Sequence, residues 1–394
     1  MQKLSLIAAA GLLVLPAISE AKPLDELLLD KGLVAAKDGG TDTKVSYNHG
    51  LNFSAGDDFD MQANLWMQTL YRYDDFDKSE ATGRDDRGGN SLKAVRLILK
   101  GNALDDSWSY KFENDFVGDR EGENGRYDND LRDAWFQANF GDEAMLRMGQ
   151  YKVPHSRQQL ASDAKLQFIS RSPVVNTQAR GRDQGFMLHG DPGGWHYYLG
   201  IFNGESEGES FNRDPVDNNH LGAAMITADL GDYGSREEEG DWREDGDFAM
   251  TFGLSGLFGQ GEVSELGDFD RGDANADIGL RYMGFSAQAE YFFISTDYDA
   301  LANELEENGF YIQTGYVFLD QWEGAFRFSW YEPDSDTVAV GDMEDMQEYA
   351  FGLGYYIWGH YLKVLANITL EDRNFKGGDD LGDTRYELLV SGLI

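Results

Sequence analysis

Residues 59–73 read FDMQANLWMQTLYRY. Phe59, Met61, Ala63, Leu65, Met67, Tyr71 and Tyr73 fall on odd positions, with Asp60, Gln62, Asn64, Gln68 and Arg72 between them. Side chains alternate faces along a strand, so this segment has one apolar and one wet surface, with aromatic residues near the ends of the apolar row. A lipid-facing barrel needs that arrangement. About 10 residues tilted by about 45° cross the hydrocarbon layer. Leu65 is then expected near the bilayer midplane.

Working outward, the pattern recurs at approximately 91–101, 106–117, 131–140, 145–152, 182–190, 195–203, 219–230, 247–258, 275–283, 284–295, 309–318, 322–331, 347–358, 360–370 and 384–394, making 16 segments with the first. An even number returns the chain to its starting side. Connections alternate between short ones (102–105, 141–144, 191–194, 319–321) and long ones (74–90, 118–130, 153–181, 204–218, 259–274, 296–308, 332–346, 371–383), as short periplasmic turns and long external loops do. The acidic stretch 232–246 breaks the alternation, so either the turn side carries one large loop or the strand count slips there. No Pro- or Ser-rich linker divides the chain. The predicted fold is all-β: one transmembrane 16-stranded antiparallel β-barrel over residues 59–394.

Ahead of it, Lys3, an apolar run over 4–15, Pro16 and Ser19-Glu20-Ala21 read as a signal peptide over residues 1–21. No later stretch approaches the roughly 20 apolar residues of a membrane helix. Residues 22–58 are expected to be a periplasmic segment, with a short helix over 23–34 and an additional strand over 44–53. The chain has no cysteine, which excludes a disulfide scaffold and a thiol enzyme. Its net charge of −38 argues against nucleic acid as a partner. Much of the acid lies in predicted connections, at 74–87, 205–217, 232–247 and 268–277. Those stretches read as solvated loop surface, or as sites of cation bridging to anionic surface lipid.

Residues 147–190 read RMGQYKVPHSRQQLASDAKLQFISRSPVVNTQARGRDQGFMLHG. This resembles the phosphate-selective porin O and P family, in which a G-Q/R-F/Y-K-x-P strand end enters a long loop and returns through R-D-x-G. Gly149, Gln150, Tyr151, Lys152, Pro154, Arg182, Asp183 and Gly185 occupy those places. Further similarity lies in WSYKFENDF (108–116), LRDAW (131–135), IFNG (201–204), FSAQAEY (285–291) and FYIQTGY (310–316). The resemblance implies a homotrimeric channel in the outer membrane of a Gram-negative bacterium, with the third external loop folded inward as a constriction. That loop is 153–181, the longest connection.

Arg157, Lys165, Arg171 and Arg180 stand in this loop against Asp163, with Lys152 and Arg182 at its roots. A low-dielectric constriction lined by one sign of charge concentrates counter-ions, so these six are candidates for an anion pathway. Alternatively they pair with wall acids and hold the loop down. By register, Arg96, Lys100, Lys111, Arg147, Arg281 and Arg327 face the lumen. They form either a basic ladder or, with Glu113, Asp115, Asp133, Asp183, Asp277, Glu290 and Glu323, the opposed charge rows of a general porin.

Two departures from the family stand out. No full phosphate-binding set of bases can be placed, and the last strand ends on Ile394 where an aromatic is usual, which predicts weaker recognition by the barrel assembly machinery. The expected partners are other copies of the chain, outer-membrane lipid, that machinery and small anionic solutes. No cofactor or metal site is expected. Calcium at 268–277 lacks the D-x-D-x-D-G register, and the RGD tripeptide at 271–273 is expected in an acidic loop. An enzyme is not indicated: adjacent His155 and Ser156 point to opposite sides of an extended backbone, and the remaining histidines are scattered. The rival is a saccharide channel, because Trp66, Trp135, Tyr311 and Phe292 fall on the inward register.

Overall fold

The computed structural model describes residues 43–76, 85–104, 106–117, 129–204, 216–243, 246–263, 267–301, 303–334, 342–378 and 380–394. The expected signal peptide and the helix over 23–34 lie outside them. The strands are β1 (Thr43–Tyr47), β2 (Leu51–Ala55), β3 (Phe59–Asp75), β4 (Arg87–Ala103), β5 (Trp108–Asp115), β6 (Asp130–Asn139), β7 (Met145–Lys152), β8 (Arg182–Gly190) and β9 (Trp195–Phe202). They continue as β10 (Val216–Leu230), β11 (Ala249–Val263), β12 (Gly267–Tyr282), β13 (Phe285–Tyr298), β14 (Leu305–Phe318), β15 (Trp322–Glu332), β16 (Met343–His360), β17 (Leu362–Phe375) and β18 (Leu381–Leu393). Each strand from β3 onward pairs antiparallel with the next, and β18 pairs with β3 from Thr384↔Asp75 to Leu393↔Trp66. The result is a closed 16-stranded barrel without a free edge, the arrangement that satisfies every ladder group inside lipid.

Alternation places the faces. Leu65, Met67, Phe252, Leu254, Ile312 and Phe326 are exposed on the outside, whereas Trp66, Gln68, Thr251, Gln313 and Arg327 are buried inside. Outward rings gather toward both ends, as in Trp322–Tyr355 (centroids 4.7 Å apart) at the short-turn end and Phe310–Trp330 (5.8 Å) toward the long-loop end. Rings at the two interfaces are what a barrel wall needs where hydrocarbon meets water.

Four expectations change in detail. β11 and β12 run through most of 259–274, where the sequence predicts a loop, and the RGD tripeptide lies within β12, where Arg271 pairs with Asp273 at 2.8 Å. Both faces of that ladder are polar because it stands beyond the apolar band, so it lacks the alternation by which strands were recognised. The 232–246 exception is resolved in favour of a large connection between β10 and β11, since all 16 strands fall in place. The stretch 44–53 is a hairpin rather than one strand: β1 and β2 turn through His49 and Gly50, both at positive φ, where a Cβ on Gly50 would meet the Asn64 side chain at 2.4 Å. β2 then pairs with the first residues of β3, Leu51↔Ala63 to Ala55↔Phe59. Finally, Leu65 exchanges backbone hydrogen bonds with the terminal Ile394 (2.6 and 2.9 Å), and Leu393 donates to Tyr361 O in the β16–β17 turn. Leu65 therefore sits near the short-turn rim and not at the midplane.

Candidate functional site: an eyelet between two inward segments

Between β7 and β8 the chain turns into the lumen as α1 (Arg157–Leu160), a 3-10 turn (Asp163–Lys165) and α2 (Pro173–Gln178), capped by Ser156, Ser162 and Ser172. These short helices leave backbone N–H groups that need acceptors, and the wall provides them. Glu290 on β13 accepts from Ser156 Oγ (2.8 Å), Arg157 N (3.0 Å) and Gln158 N (2.7 Å). Lys363 on β17 donates to Leu166 O at 2.8 Å, and Arg327 on β15 to Ser170 O at 2.9 Å. Apolar packing adds to this: Val174 and Val175 bury against Phe292, Tyr311 and Tyr331, and Ile169 against Leu70, Tyr356, Leu365 and Leu389. The loop thus fills the β12–β18 side of the lumen.

From the opposite end, residues 231–243 enter as a strap and meet the loop. Ser162 N donates to Glu237 O (3.2 Å) and Glu239 N to Lys165 O (3.0 Å). The buried Glu239 carboxylate accepts four N–H groups: Gln158 Nε2 (2.8 Å), Gln167 N (2.8 Å), Gln288 Nε2 (2.8 Å) and Gln313 Nε2 (2.9 Å). Arg281 holds the strap backbone through Tyr233 O (2.6 Å) and Ser235 O (3.2 Å), and Arg236 grips Asp277 (2.6 and 2.7 Å). Trp242 packs on Tyr356, centroids 4.2 Å apart. Sequence reasoning missed these partners. Its one signal was the unusual length of the connection, together with Tyr233 and Trp242 inside an acidic run.

What stays open is an eyelet of about 360 Å³ between the loop and the β4–β9 wall. Its bases are Arg96, Lys111, Arg147, Lys152 and Arg182, and its acids Glu113, Asp133, Asp163 and the strap's Glu237. Arg96 pairs with Asp115 (2.7 Å), Glu113 (3.1 Å) and Asp163 (2.9 Å). Lys111 pairs with Glu113 (2.8 Å) and Asp133, and Arg182 with Asp133 (2.7 Å). Lys152 donates to Leu160 O (3.1 Å) and Ala161 O (2.8 Å). Arg147 makes no ion pair with a described residue. Its Nε donates to Gln137 Oε1 (2.9 Å), and its guanidinium lies over the Trp135 ring, 4.2 Å from the centroid. Burial alone would push the Asp163 carboxyl up, but Arg171 and Arg96 outweigh it and hold this acid well below the usual carboxylate range.

The other candidates lie elsewhere or are engaged. Arg157 is fully buried, donating to Tyr233 Oη and lying 3.4 Å from Asp277. Lys165 pairs with Glu238 at 2.9 Å. Arg171 pairs with Asp163 and donates to Gln158 O (2.9 Å) and Ala161 O (2.7 Å), and Arg180 donates to Gly204 O. Arg281 and Arg327 serve the strap and the loop, Arg327 also binding Glu348 at 2.8 Å. Lys100 is exposed near the short-turn end of β4. Ser156, next to His155, caps α1 and donates to Glu290. Of the rings behind the saccharide alternative, Trp66, Tyr311 and Phe292 are buried and only Trp135 lines the eyelet.

Residues 62–235 match the model of the phosphate-selective porin O and P family. Over that span the chain is similar to porins of this family. A protein of Aquifex aeolicus (strain VF5) is 25% identical over 423 residues, covering 95% of this chain and 96% of the relative. Among solved structures, the outer membrane channel DcaP of Acinetobacter baumannii superposes with a TM-score of 0.62 at 12% identity, over 85% of this chain and 97% of DcaP. An anion-selective porin from Comamonas acidovorans gives 0.58 at 12% identity, over 84% and 99%. OmpT of Vibrio cholerae gives 0.56 at 12%, over 84% and 97%. At such identities the structures establish the barrel fold alone, and the family match over residues 62–235 supports an outer-membrane channel.

Proposed function

We propose that this porin passes small hydrophilic solutes across the outer membrane of a Gram-negative bacterium, with a preference for anions. The eyelet's charge carries the reading: five bases against four acids in a chain of net charge −38. A constriction with low-dielectric walls weights the charges that line it. Acid on the external loops acts mostly beyond a Debye length of about 8 Å at physiological salt. The anion-selective Comamonas porin of the same fold supports the reading. A homotrimer is proposed by analogy with OmpT, which is known in a trimer form. Phosphate selectivity calls for a dense set of free bases, and Arg96, Lys111 and Arg182 are bound to carboxylates. General anion preference is therefore the better reading.

The test is the reversal potential of single channels in a potassium chloride gradient. It should fall on the chloride side and move toward potassium in Arg147→Gln. A cation-selective wild type would overturn the proposal. Block by oligosaccharide that is lost in Trp135→Ala would favour a sugar channel instead.

A further inference from the structure

Three charges line the eyelet without an ion pair among the described residues: Arg147 on the β7 wall, Lys152 at the loop end of β7 and Glu237 on the strap. The Lys152 ammonium is taken up by the carbonyls of Leu160 and Ala161, which leaves Arg147 and Glu237. Arg147 is held from behind, by Gln137 at Nε and by the rings of Trp135 and Tyr151 (4.2 and 5.6 Å from their centroids). No described acceptor takes its terminal nitrogens. Glu237 is held by its backbone alone, its N donating to Ser235 Oγ (3.2 Å) and its O accepting from Ser162 N (3.2 Å). Its side chain is exposed and lines the eyelet, where its charge acts on Arg147.

We propose that Glu237 is a specificity-determining residue: with Arg147 it gives the eyelet one charge of each sign, so that small dipolar solutes bearing both carboxylate and ammonium pass in preference to simple anions of equal size. This rests on the porin reading above. A monoanion entering the eyelet is drawn by the bases but repelled by Glu237. A dipolar solute can set its carboxylate toward the guanidinium and its ammonium toward the strap, gaining from both where the walls weaken screening. The strap therefore supplies half of the filter from the end of the barrel opposite to the constriction loop.

Efflux of labelled alanine and labelled lactate from proteoliposomes at pH 7 tests this, because the two share a skeleton and differ by ammonium against hydroxyl. Glu237→Gln should lower the alanine-to-lactate rate ratio severalfold, and Glu262→Gln, at the far end of β11, should leave it unchanged. Arg147→Gln should slow both solutes. An unchanged ratio in Glu237→Gln overturns the inference even if the channel is anion-selective. A wild type that is cation-selective in the chloride gradient removes the anion preference, while the ratio still decides the role of Glu237. Absence of efflux for both solutes overturns the porin reading and this inference with it.

Discussion

Arg96, on the β4 wall, reaches Asp163 in the constriction loop across 2.9 Å while also binding Glu113 and Asp115. One buried guanidinium thus ties the loop to the wall it faces across the eyelet. Removing one partner of a buried ionic group leaves charge uncompensated and costs about 3–5 kcal/mol. Arg96→Met should lower stability by that order in urea unfolding. Asp163→Asn leaves Arg96 two carboxylates but strips Arg171 of its ion pair, so it should also destabilise, while increasing open-channel current noise as the loop loses this tie to the β4 wall.

Glu239 is the corresponding knot on the other side. Glu239→Ala would orphan four N–H groups on the loop and on two wall strands, and each buried donor left without an acceptor costs about 1–3 kcal/mol. The variant should lose several kcal/mol, and its strap should become cleavable by protease added from the short-turn side. Unaltered proteolysis would show that Glu239 does not hold the strap.

How much of this was legible in the sequence depends on the range of the interaction. The strands around Phe285–Tyr298 and Trp322–Glu332 announce themselves by local alternation, because lipid on one face and water on the other impose a period of two. Beyond the apolar band that constraint lapses, so the outer halves of β11 and β12 resembled loop. The basic excess of 153–181 was equally plain. Its partners were not: Gln158 finds Gln313 at a separation of 155 residues, and Lys363 finds Leu166 at 197. Such pairings follow from barrel register and from two segments folding into one lumen, which no local pattern encodes.

The outer face gives a test of depth. Leu254, outward and 61% exposed, lies well inside β11, away from the Phe248–Tyr282 pair that marks the short-turn interface. Leu254→Arg should destabilise by about 2–4 kcal/mol, as a charge near the midplane does. Leu65→Arg, beside Ile394 at the rim, should cost about 0–1 kcal/mol by the same depth dependence. Equal losses in folding titrations into lipid vesicles would contradict the assigned depths.

Acid should loosen the loop through His155. This residue is fully buried against Phe292, and burial pushes its imidazole down to about 4 despite Asp273, with Arg271 and Arg180 pressing the same way as burial. The unfolded value is about 6.5, so stability from this group is unaffected above pH 6.5 and falls as the pH drops toward 4, by roughly 3 kcal/mol in all. His155→Phe should flatten that part of the stability profile. A wild-type profile that is already flat between pH 6.5 and 4 would refute the assignment.

The N-terminal hairpin bears on how the barrel comes together. The seam between β18 and β3 joins residues such as Arg72 and Glu387, 315 positions apart, so its loop-closure entropy places it late in folding. Until then β3 would offer bare ladder groups to any passing strand. β2 covers Phe59–Ala63 from only a few residues away, in the stretch that β18 never reaches. The hairpin therefore works as a guard rail and a stop. It shields the short-turn end of the first strand from mispairing, and it leaves to β18 only the stretch from Leu65 onward.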